Sequence, residues 1–164
     1  MRYRHLTMSL LGALLCQASD SVAGGDSPPA PSELLSANSP LVLTDSAPTA
    51  RVPLPARLLP SEGDTIQMAL GKIDNPQRQG VMVCTSLLPE SSSAAIALGC
   101  IGIFPATAAG QYSLTLRNVQ DQLKSKSMAS SQPLALSLQL KPVDEHAALA
   151  PLRVQIDSLL WKRD

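Results

Sequence analysis

Aromatic side chains are scarce. The 164-residue chain has Tyr3, Phe104, Tyr112 and Trp161 and no others, which leaves no stacking platform for bases or sugars. Net charge is also missing, with 13 Lys+Arg against 13 Asp+Glu. A nucleic-acid partner needs a basic face to displace counterions from phosphates, so none is expected, and a polybasic membrane-surface module is excluded on the same ground. Histidine is limited to His5 and His146, and cysteine to Cys16, Cys84 and Cys100. That is too small a ligand set for a transition metal.

Catalytic and cofactor motifs are equally thin. No serine sits in a G-x-S-x-G nucleophile elbow. Neither the phosphate loop G-x-x-x-x-G-K nor the dinucleotide G-x-G-x-x-G occurs, so no cofactor is expected. Gly99 and Gly102 fall inside an apolar run and are read as permitting a bulge or close packing. A Ser-His-Asp triad would have to use His146, which stands in DEHAALA beside Asp144 and Glu145. The simpler reading is a solvated loop histidine, because a triad needs a base held by an orienting group. Glu62 with Asp64, and Asp144 with Glu145, are carboxylate pairs without cleft spacing for glycoside hydrolysis or enough oxygens for calcium. They are read as charged loop residues that keep the surface soluble. The chain is therefore expected not to be an enzyme.

What is present begins with an address. Arg2, Arg4 and His5 form a basic start, Leu6 to Cys16 is an apolar core, and Ser21-Val22-Ala23 supplies small residues for cleavage. A bilayer takes roughly 20 apolar residues, and this run is too short to cross one. Residues 1–23 are read as a signal peptide, giving an exported protein, periplasmic or secreted, that meets the membrane only in transit. A lipid anchor at Cys16 fits poorly, because Leu14-Leu15 precede it where a small residue is needed. With the signal removed, Cys84 and Cys100 remain as an even pair. In an oxidising compartment that pair reads as a structural disulfide, worth on the order of 3 kcal/mol through restriction of the unfolded chain.

Residues 24–49 are rich in Pro, Ser, Ala and Gly and read as a flexible leader that cannot offset its ordering entropy. Leu41-Val42-Leu43 is its one apolar island, either an edge strand or a segment that docks on a partner. From residue 50 to 164 the texture is that of strands. Ile66, Met68 and Leu70 alternate, and Asp74-Asn75-Pro76 makes a turn. Gly80 to Leu88 is a second strand. Ala95 to Phe104, almost wholly apolar, reads as a third strand buried on both faces. Gln111 to Val119 follows, then a polar loop over Gln120–Gln132. Leu134, Leu136, Leu138 and Leu140 share one side of another strand. Asp144 to Ala150 is read as one helical turn before a last strand at Leu152, Val154 and Ile156.

Such spacing predicts a single antiparallel β-sandwich, immunoglobulin-like in shape only, since Trp161 follows both cysteines. A hairpin centred near Ser92 would set Cys84 opposite Cys100 and Leu88 opposite Ile96. The functional expectation is a non-catalytic envelope protein that binds another envelope or secreted protein, as a fimbrial, secretion or flagellar accessory factor. Leu134–Leu140 and Leu41–Leu43 are the candidate partner-binding edges, although the former reads more simply as core. The alternative is a small exported inhibitor or immunity protein presenting the loop Leu87–Ala94.

Overall fold

The computed structural model describes residues 30–36, 38–56, 58–89, 95–103, 107–126 and 133–164. Residues 1–23, expected to be a signal peptide, and the expected hairpin centre near Ser92 lie outside them. Among the described residues nine strands run in the order β1 (Ser32–Leu35), β2 (Leu41–Thr44), β3 (Thr49–Pro53), β4 (Thr65–Asp74), β5 (Val81–Pro89), β6 (Ile96–Ile103), β7 (Gly110–Thr115), β8 (Leu134–Pro142) and β9 (Arg153–Lys162). One described helix, α1 (Val119–Ser125), lies between β7 and β8 in the chain. The strands form a sandwich of two antiparallel sheets. The first has the order β1-β9-β4-β7, with β2 also on β9; the second has the order β3-β8-β5-β6. The expected sandwich is what the chain forms.

Alternation explains which side of each strand faces the interior. Ile66, Met68 and Leu70 of β4 are buried, as are Val154, Ile156, Leu159 and Trp161 of β9. From the other sheet Val81, Val83, Leu87, Ile96, Ile101 and Ile103 meet Leu136, Leu138 and Leu140 in the same core. In β9 the inward set changes parity between Ile156 and Leu159. The ladder with β4 is irregular at that place, Ala69 pairing Ser158 and Leu70 pairing Ile156. Asp157 is the extra residue. It occupies the space over Gly71, where an added Cβ would lie 2.3 Å from its carboxylate.

Several expectations need correction. The leader does not stay apart from the domain: β1 and β2 both lie within 24–49, and both pair with β9. Leu43 is fully buried, and Leu34, Leu35 and Leu41 pack against the core. Their burial on β9 offsets an ordering cost that composition alone suggested would go unmet. The stretch after Gln120 is not all loop, because α1 buries Val119 and half-buries Leu123 one helical turn later. Asp144–Ala150 makes a tight turn instead of a helical one, with the amide of Ala147 donating to the carbonyl of Asp144 over 3.0 Å.

Candidate functional site

The hairpin β5–β6 places the cysteines directly opposite each other, and they are bonded, Cα to Cα 3.9 Å. Expected and observed registers then diverge by one residue. Cys84 pairs Cys100 and Thr85 pairs Gly99, but Ser86 pairs Ala97, so Leu87 and not Leu88 faces Ile96. A bulge at Leu98 absorbs the difference. Gly99 beside it has φ +144°, and a Cβ there would come within 2.9 Å of Leu114 on β7. Thr85, buried, donates its hydroxyl to the carbonyl of Gly99 over 3.2 Å and ties the bulge down.

β6 is not buried on both faces. Ile96, Ile101 and Ile103 point inward, whereas Ala97, Cys100 and Gly102 are exposed. An apolar outer face was mistaken for a buried one because the exposed residues are small. Cys100 is thus an exposed residue, while Cys84 is buried. Registers give the rest of this outer face: Gly102, Met82 and Lys141 form one row, and Cys100, Cys84, Gln139 and Thr49 the next. Ala97, Ser86, Ser137 and Arg51 form a third, and Leu88, Ala135 and Pro53 a fourth. Its charged side chains are Arg51 and Lys141, with no carboxylate among these positions.

The strand Leu134–Leu140 is no edge. β8 pairs with β3 on one side and β5 on the other, and Leu134, Leu136, Leu138 and Leu140 are all buried. These leucines are core, because four on one face of a central strand must meet the opposite sheet. β2 does lie at an edge, pairing β9 alone, but Leu43 and Leu41 turn inward from it. The remaining edges are β1, β3, β6 and β7.

Other chemistry-bearing residues are used to hold the fold. Asp64, taken from sequence as a solvated carboxylate, is buried. Its Oδ2 accepts from the indole Nε1 of Trp161 at 2.9 Å and from the Ser61 amide at 2.9 Å. Glu62 accepts from the amide of Asn118 at 2.9 Å and so anchors the start of α1. His146 is exposed, and Asp144 accepts from its backbone amide, 3.0 Å away. Gln79, which sequence reasoning passed over, donates to the carbonyl of Ala148 and accepts from the amide of Ala150, binding two turns together. Among the described residues no three His, Cys, Asp or Glu side chains are grouped to hold a metal ion. No described helix is long and apolar enough to cross a membrane.

The concavities are shallow. A cleft of about 50 Å³ between Gln67, Gln111, Ser113 and Ser158 admits little beyond water. A groove of about 440 Å³ runs over Arg51, Pro53, Leu88, Pro89 and Ala135, without the converging polar groups of a small-molecule site. No family model matches the sequence, and no curated protein matches it either. The candidate site is therefore a surface: the outer edge of β6 with its disulfide.

Proposed function

We propose that the chain is a non-catalytic, exported protein that binds another envelope or secreted protein along the free edge of β6. It would serve as an envelope, fimbrial, secretion or flagellar assembly factor. The observation that carries this reading is the make-up of β6, an edge strand that α1 meets but that no strand among the described residues pairs on its far side. Free strands are usually shielded by charge, proline or shortness. β3 has Arg51 and Pro53, β1 and β2 are four residues each, and β7, also without charge or proline, is shorter at six residues. β6 is eight residues long and has no charge and no proline. Strand addition there would take affinity from backbone hydrogen bonds and specificity from the small outward residues. Support for export comes from the signal-like residues 1–23 and from the disulfide, which oxidising compartments preserve.

Gly102 offers a test, since a Cβ there meets nothing within 4 Å. A photo-reactive residue at this position, activated in intact cells, should capture an envelope protein. In the purified complex the amides of β6 should gain protection from hydrogen exchange, while those of β7 do not. Capture of an envelope enzyme through residues 87–94, with β6 unprotected, would instead favour the inhibitor. Unchanged β6 exchange in every complex recovered would overturn the edge reading.

A further inference from the structure

We propose that the Cys84–Cys100 disulfide is a thiol–disulfide exchange site of the folded protein, attacked at Cys100 by an external thiolate. This does not depend on the strand-addition reading. Displacement at sulfur needs the incoming thiolate, the attacked sulfur and the leaving sulfur close to one line. The bridge spans from β5 to β6. Beyond Cys100 the sheet ends, because among the described residues no strand pairs the far side of β6. Beyond Cys84 lies β8, with Gln139 paired to Cys84.

The neighbours reinforce the asymmetry. Cys100 is exposed and Cys84 buried. The outward residues on either side of Cys100 are Ala97 and Gly102, and beside Gly102 there is open space. No long side chain on β6 fences the sulfur. Exposed disulfides are the labile ones, whereas shielded ones resist reduction.

Chemically, the thiolate bonds to Cys100 Sγ as the sulfur–sulfur bond breaks, and Cys84 leaves as a thiolate that takes a proton from water. If the attacker belongs to a dithiol, its second thiolate then attacks the mixed disulfide and releases Cys100. The dithiol is oxidised by two electrons and the protein's disulfide is reduced. Both a dithiol oxidoreductase and a small thiol such as glutathione offer this chemistry.

The test uses the folded chain without denaturant. It is treated separately with glutathione and with a dithiol oxidoreductase whose resolving cysteine is changed to serine. The rate of disulfide loss is expected to rise in proportion to thiolate concentration and to exceed the rate of global unfolding. Peptide mapping should place the trapped adduct on Cys100, and the faster reagent at equal thiolate identifies the source. Gly102→Leu should slow exchange on the order of tenfold by covering the approach, with the disulfide intact. A rate that levels off at the unfolding rate, an adduct on Cys84, or an unaffected Gly102→Leu variant would overturn the proposal.

Discussion

β8 and β6 are both apolar strands of the four-stranded sheet, and they hold opposite positions in it. β8 is paired on both sides and sends its leucines into the core. β6 is paired on one side and shows alanine, cysteine and glycine to solvent. Apolar content alone does not separate a central strand from an edge. Alternation reports which face is buried, and only topology reports which strand has a free side.

Substitutions can sharpen or break that contrast. Leu138→Ala, at a fully buried central position, should cost about 2–5 kcal/mol in urea unfolding. Ala97→Ser on the outward face of β6 should stay within about 0.5 kcal/mol. Similar losses at the two would mean that β6 is covered after all. Next in size, replacing Cys84 and Cys100 together by alanine should cost about 3 kcal/mol, because the bridge restrains the unfolded chain. A negligible change would show that the β5–β6 ladder restrains the hairpin without it. A smaller effect belongs to the opposite sheet. Asp64→Ala leaves the Trp161 indole N–H and the Ser61 amide without their acceptor and should cost about 1–3 kcal/mol. Trp161 is the sole tryptophan, so its fluorescence reports both the unfolding and any loosening of the site.

Much of the fold was legible. The alternations of Ile66–Leu70 and Leu134–Leu140 gave strands with the correct faces, and the cysteine pairing set the β5–β6 register as far as the bulge. The bulge had its own signal: inward positions change parity between Ile96 and Ile101, with Gly99 between them. The same change between Ile156 and Leu159 marks the irregularity at Asp157. β1 and β2 were not legible as part of the domain, because their burial depends on β9, more than a hundred positions away in the chain. α1 was missed because two apolar residues in a seven-residue helix make a faint periodic signal. Of the candidate site, the disulfide was legible and the free edge was not. Edge status belongs to the order of strands, and no local pattern encodes it.

β9 lies beside β1, β2 and β4, so the five-stranded sheet has its middle supplied by the last of its described strands in chain order. During translation the earlier strands of that sheet wait for a partner that has not yet left the ribosome. Only β4 and β7 can join before it arrives. Completion of the sheet thereby waits for β9, through pairings that reach back more than a hundred positions and are slow for that reason.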